Sequence, residues 1–201
     1  METTLVHASI PSVKAVLRLE MQALRAGLAA AAPRAGELAA ARLPVALLGR
    51  FAVVAGYHPF RSEIDPAPAL RRLAEAGAAI ALPVTPPRGS DAPLSFHRWS
   101  PEAGLSRGGF GVLEPSPRAE TLEPDLVVTP LLAFDRAGAR LGYGQGHFDR
   151  TLEALRARRP VFVLGLAFAG QEVARVPAEP HDQHLDAILT ETGYIAVRKD
   201  T

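Results

Sequence analysis

The sequence contains no cysteine, which excludes a disulfide framework, a thiolate nucleophile and any cysteine-ligated metal site. Lysine is nearly missing as well: of 22 lysines and arginines, only Lys14 and Lys199 are lysines. Lys199 reads as part of a tail, whereas Lys14 falls within an apolar periodic segment. No stretch is apolar for long enough to cross a bilayer. The longest run covers residues 161–170, and the start METTLVHASI has neither the basic segment nor the apolar core of a signal peptide. Neither sign of charge is in excess. A net charge of +1, with no clusters of basic and aromatic residues, argues against a nucleic-acid surface. Repeats, low-complexity tracts and interdomain linkers are lacking too. A chain of 201 residues can bury a substantial core, so we expect one domain spanning 1–201 in a cytoplasmic protein with no membrane partner.

What is present is an alternation of helical and extended patterns. Ser12 can cap a helix running to Ala31, whose apolar face is Val13, Leu17, Leu24 and Leu28 and which Pro33 ends. Lys14, Arg18 and Arg25 lie within roughly 40° of one another on that helix; such a stripe is either a solvated face or a cationic site. A second helix is expected over 35–48, with Pro44 as a potential break. Residues 51–57 read as a strand, 66–76 as a helix and 79–84 as a strand, the mark of a parallel sheet with crossover helices. Residues 58–66 then fall at the carboxyl edge of the sheet, where open α/β folds bind ligands. Glu63 and Asp65 lie there, either as site residues or as acids favouring a helix start. Residues 94–99 alternate as a strand, and 107–117 read as irregular. A strand at 126–128, a helix from about Gly146 to Arg158, a strand at 161–168 and short strands at 187–190 and 194–197 complete the pattern.

The segment DLVVTPLLAFDRAGARLGYGQGHFDR, residues 125–150, concentrates the chemistry. Gly142, Gly144 and Gly146 leave backbone N–H groups uncovered before a helix start, which is an anion-binding arrangement and points to phosphate. The alternate spacing, the distance from the preceding strand and the absence of a later acid exclude a dinucleotide fingerprint. The ending Gly146, His147, Phe148 excludes a Walker A loop. Alternating glycines can also be no more than a tight turn. Arg140 and Arg150 flank the loop, and Asp149 offers a ligand for a magnesium ion carried by a nucleotide. The cluster His181, Asp182, His184 and Asp186 lacks the spacing of a transition-metal site, which leaves a hard-ion role for Asp182 or a polar turn.

Taken in order, four blocks resemble the 5-formyltetrahydrofolate cyclo-ligases, also called methenyltetrahydrofolate synthetases: KAVLR, PFRSEIDP followed by IALPV, PLLAFDRAGARLGYGQGHFDR, and HDQHLDAILTE. The resemblance spans nearly the whole chain. It implies a single three-layer α/β/α domain with a mostly parallel central sheet, in keeping with the strand, helix, strand pattern. It also implies MgATP-dependent conversion of 5-formyltetrahydrofolate, with a mono- or polyglutamate tail, to 5,10-methenyltetrahydrofolate, with release of ADP and phosphate. By the same resemblance Lys14 and Arg18 are phosphate-binding cations, and Arg140, Leu141, Gly142, Tyr143, Gly144, Gln145, Gly146, His147 and Phe148 form the ATP loop. Asp149 and Asp182 are the magnesium ligands. Phe60 and Asp65 contact the pterin-bearing substrate, with Glu63 beside them and the loop from Tyr143 to His147 shared with it. Lys14, Arg140 and His147 are the expected catalytic groups. Arg25 matches no motif and gains no role.

Two departures stand out. The family commonly places two tyrosines where this chain has His147 and Phe148, and Gln145 replaces a small or basic residue. Loss of the phenol hydroxyls bears on folate contact, and His147 brings a group that titrates near neutrality. The departures motivate a competing reading as a noncatalytic protein that sequesters reduced folate or nucleotide. Another ATP-dependent small-molecule ligase or kinase on the same cradle is a third. The expected assembly is a monomer or weak homodimer.

Overall fold

The computed structural model describes residues 10–109 and 111–197; Lys199 lies outside the described residues. The first helix, α1 (Ile10–Ala31), already includes Ser12 in its first turn. α2 (Ala35–Ala41) stops before Pro44, which begins a short 3-10 turn, Val45–Leu47. Proline has no N–H for the carbonyl four residues back, on Ala40, which accepts the Leu43 N–H and the Arg72 guanidinium. The second helix is therefore half the expected length.

A seven-stranded sheet forms the middle layer. Its members are β1 (Val53–Ala55), β2 (Ala79–Val84), β3 (Ser95–Arg98), β6 (Leu126–Pro130), β9 (Phe162–Leu166), β10 (Ala187–Leu189) and β11 (Tyr194–Ala196), in the order β11-β10-β9-β6-β1-β2-β3. The five inner strands are parallel; the edge strands β3 and β11 pair antiparallel. Between them the chain forms two small hairpins, β4 (Ser106–Arg107) with β5 (Leu113–Glu114), and β7 (Ala133–Phe134) with β8 (Arg140–Leu141). The segment read as irregular thus contains a paired turn, too short to leave a periodic signal.

Residue alternation on the strands sorts the core into two faces. Val54, Leu126, Val128, Leu164 and Leu166 point to one side, with α2 and α3 (Ala67–Glu75). Ala55, Val127, Val163 and Ile188 point to the other, against Leu152 and Leu155 of α4 (His147–Arg156). This is the three-layer α/β/α arrangement expected. A third cluster seats Met21 of α1 on Leu132, Ala133, Ala139 and Leu141 of the β7–β8 hairpin.

The order of the sheet fixes where a ligand can bind. From β1 the chain moves outward through α3 to β2, and from β6 through α4 to β9 on the opposite side. The crossovers diverge between β1 and β6, which opens a crevice at their carboxyl ends.

Candidate active site

A cavity of about 720 Å³ occupies that crevice. Its walls include Tyr57 and His58 after β1, Pro83 and Thr85 from the end of β2, Pro130 and Leu131 from the end of β6, the loop 140–150 and the segment 179–182.

The glycine loop is hung from the β7–β8 hairpin. Asp135 Oδ1 accepts the N–H groups of Ala137 and Ala139, each at 3.0 Å, which fixes the hairpin turn. Beyond β8, Gly144 (φ 94°) and Gly146 (φ 68°) adopt left-handed conformations, which side chains other than glycine disfavour. A Cβ on Gly146 would also lie 2.6 Å from Arg150 Nη1, and one on Gly144 3.1 Å from Arg18 Cζ. The glycines therefore admit two guanidiniums close to the backbone. Arg18 donates from Nε to the Gly142 carbonyl at 3.0 Å, latching α1 onto the loop. Gly146 then leads into α4, whose first turn lines the cavity with no side-chain cap. The N-terminal end of its dipole therefore borders the crevice, as an anion site requires.

Lys14, Arg18 and Arg25 do form one stripe, and it faces inward. Lys14 is buried and its Nζ bridges Glu179 Oε2 at 2.7 Å and Asp182 Oδ2 at 2.6 Å. Burial pulls the Lys14 pKa down, but the bonds to Asp182 and Glu179 outweigh it and leave the ammonium above its ordinary range. Asp182 moves the opposite way. Burial pushes it up, yet the hydrogen bonds from Lys14 and from the Glu179 N–H hold its carboxyl below the usual range.

Arg140 and Asp149 pair at 2.7 Å, and Asp149 Oδ1 also accepts the Gln183 N–H at 3.0 Å. Arg140 donates to the Gln183 carbonyl as well. Its guanidinium thus orients Asp149 and the 179–183 segment, a structural task the sequence motif does not reveal. Burial lowers the Arg140 pKa, with Asp149 opposing.

On the other wall Phe60 meets Tyr143 edge to face, ring centroids 5.9 Å apart. Arg61 lies 5.0 Å over the Phe60 ring and has a left-handed backbone (φ 56°). Glu63 lies beneath, its side chain only 6% exposed and its Oε2 accepting the Phe60 N–H at 2.9 Å. Burial raises its pKa to about 7, against the opposing pull of that bond and of Arg25. Asp65 is not brought to the cavity wall. It is exposed and accepts the Ala67 N–H at 2.9 Å, the expected alternative of an acid at a helix start.

His147 lines the cavity, its Nδ1 3.2 Å from Arg150 Nη2. Burial and then Arg150 lower its pKa, so the ring is neutral at pH 7 and its titration falls on the acid side of neutrality. Phe148 packs on the α4 core cluster. The HDQHLD cluster divides. His181 and Asp182 line the cavity, whereas Asp186 holds Arg156 at 3.0 Å and the Val163 N–H at 2.9 Å, and His184 is exposed.

Two residues escaped the sequence reading. Glu179 sits in a segment with no periodicity and has no signal beyond its place two residues before His181. Arg25 had the stripe as its only signal, and the fold buries it behind the Phe60–Tyr143 wall.

Known proteins place this arrangement. The 5-formyltetrahydrofolate cyclo-ligase family model matches residues 11–191. A 5-formyltetrahydrofolate cyclo-ligase of Mycolicibacterium smegmatis is 38% identical over 152 residues, 72% of this chain and 77% of the relative. One of Haemophilus influenzae is 31% identical over 179 residues, 86% and 95% of the two chains. The NMR structure of Aquifex aeolicus 5,10-methenyltetrahydrofolate synthetase aligns with a TM-score of 0.75 at 27% identity, covering 94% of this chain and 95% of that one. With the matching segments supplying every wall of the crevice described above, the chain belongs to the 5-formyltetrahydrofolate cyclo-ligase family.

Proposed function

We propose that the protein converts 5-formyltetrahydrofolate to 5,10-methenyltetrahydrofolate at the expense of ATP, as one catalytic unit acting in the cytoplasm. Among the described residues no helix is long and apolar enough to cross a membrane. The observation that carries the reading is the convergence of Lys14, Arg18, the glycine loop, Asp149 and Asp182 on one cavity that also bears Phe60 and Glu63.

The chemistry asks for such a site. A formamide oxygen is a poor leaving group. In the proposed course it attacks the γ-phosphorus of ATP, ADP departs, and N10 of the folate then displaces phosphate from the formyl carbon and gives up its proton. Phosphoryl transfer depends on positioning and charge neutralisation rather than on a protein nucleophile. Lys14, Arg18 and the α4 N-terminus supply positive charge on the nucleotide side. Phe60, Tyr143 and Glu63 offer a partly apolar wall with one carboxylate, suited to a pterin. His147, neutral at pH 7, has a polar ring beside the loop where the family commonly carries a tyrosine.

The residues present fit a magnesium ion. Glu179, His181 and Asp182 bring one ligand atom each within 4.8 Å of one another, two of them carboxylate oxygens of the kind magnesium prefers. The carboxylate pair already holds a cation, the Lys14 ammonium. Asp149, fixed by Arg140 on the same cavity, is a further candidate ligand. When bound, magnesium neutralises phosphate charge.

The test is an absorbance assay for methenyltetrahydrofolate with and without ATP and magnesium. Turnover that needs both is the expected result. Tight folate binding without turnover would favour a sequestering protein, and absence of folate binding would sink both folate readings. Tail-length preference is read by comparing mono- and polyglutamates in the same assay.

A further inference from the structure

Arg25 lies one layer behind the cavity, 1% exposed, and its guanidinium is shared among three segments. Nε donates to Ser62 Oγ at 3.1 Å and Nη1 to the Leu131 carbonyl at 3.2 Å, while Nη2 donates to the Tyr143 hydroxyl. Nη1 also faces Glu63 Oε1 at 3.8 Å, and the guanidinium carbon lies 5.3 Å from the Tyr143 ring centre. Ser62 and Glu63 belong to the loop after β1, Leu131 to the end of β6, and Tyr143 to the glycine loop. A single planar cation therefore joins both sides of the switch point to the segment between Gly142 and Gly144. Burying a guanidinium is costly unless its donors and charge are matched, and here they are matched by groups from both halves of the site.

We propose that Arg25 is a positioning residue that holds the Tyr143 loop and the Phe60–Glu63 loop in fixed register, so that nucleotide and folate are presented to each other in line. The inference rests on the proposed function. It assigns Arg25 no contact with either ligand; it acts through Tyr143 and Glu63. Arginine is required because its planar fork reaches three acceptors at once, which a lysine ammonium at the same position cannot do.

Arg25→Lys keeps the charge and loses the fork, Arg25→Met loses both, and Tyr143→Phe removes only the hydroxyl acceptor. Each is assayed beside the parent for kcat and for the KM of both ligands, with thermal unfolding recorded separately. Arg25→Lys is expected to lower kcat/KM about 10-fold or more for ATP and for the folate together. Combined with Tyr143→Phe its effect should fall well short of the product of the two single effects, because both changes break the same link. The charged and titratable groups facing Glu63 are Arg25 from α1 and Tyr57 from just after β1. Without the Arg25 cation the acid limb of the folate KM profile should move to higher pH in Arg25→Met and stay in place in Arg25→Lys. A parent that fails to turn over removes the functional reading itself. An active parent with folded Arg25→Lys at parental kcat/KM, or with effects that multiply in the double variant, overturns the Arg25 role alone. If Arg25→Met does not fold, the Arg25→Lys and Tyr143→Phe cycle decides.

Discussion

Two ion clusters descend from the same face of α1, and they differ in access. Lys14 meets Glu179 and Asp182, whose side chains are 30% and 19% exposed and lie on the cavity wall. Arg25 meets Glu63, and their side chains are 1% and 6% exposed. The open cluster can exchange one cationic partner for another when a charged ligand arrives. At the sealed cluster only Glu63 borders the cavity, while the Arg25 guanidinium is committed to Ser62, Leu131 and Tyr143 and is not free to exchange partners. A shared stripe on one helix thus yields one site that handles ligand charge and one that sets geometry.

The largest expected effect comes from breaking the open cluster. Lys14→Ala removes charge near the phosphates and leaves Glu179 and Asp182 facing each other with no cation between them. Turnover should fall by about 10²-fold or more, as for removal of one preorganised electrostatic group, with folding intact by circular dichroism. Parental turnover would show that the ammonium only holds the 179–182 segment in place.

Asp149→Asn separates the two halves next. It keeps the shape of the group that Arg140 and the Gln183 N–H hold but weakens its claim on a cation. The KM for MgATP should rise about 10-fold while folate affinity by calorimetry changes by less than about 2-fold. Equal losses for both ligands would place Asp149 at their boundary instead.

How much of this was legible in sequence follows the same division. The nucleotide side is written in local signals: Gly144 and Gly146, whose positive φ disfavours a side chain, a helix start, and acids at short spacing. The strand, helix, strand unit of residues 53–84 was readable because each element meets one face of the sheet with a regular period. The sealed side has no local signature. Arg25, Ser62, Leu131 and Tyr143 are far apart in sequence, and the sheet order brings them together. The family resemblance put Asp65 ahead of Glu63, but only the path of the chain after β1 decides which of two neighbouring acids turns inward. Glu179 was hidden because its partner, Lys14, approaches from the other end of the chain.

The sealed cluster makes the smallest prediction, one of stability. In the folded protein Glu63 titrates at about 7, above the unfolded value of about 4.3 for glutamate. Between those two values the folded state binds more protons than the unfolded chain, so stability declines as pH rises through that window and levels off above it. The decline is at most about 4 kcal/mol, since a tenfold difference in proton affinity between the folded and unfolded chain corresponds to about 1.4 kcal/mol. Glu63→Gln, neutral throughout, should flatten the fall in urea midpoint between pH 5 and 8. A parental slope in Glu63→Gln would mean that the Arg25 cation keeps Glu63 ionised down to ordinary carboxylate pH, and the sealed cluster would then be a conventional ion pair.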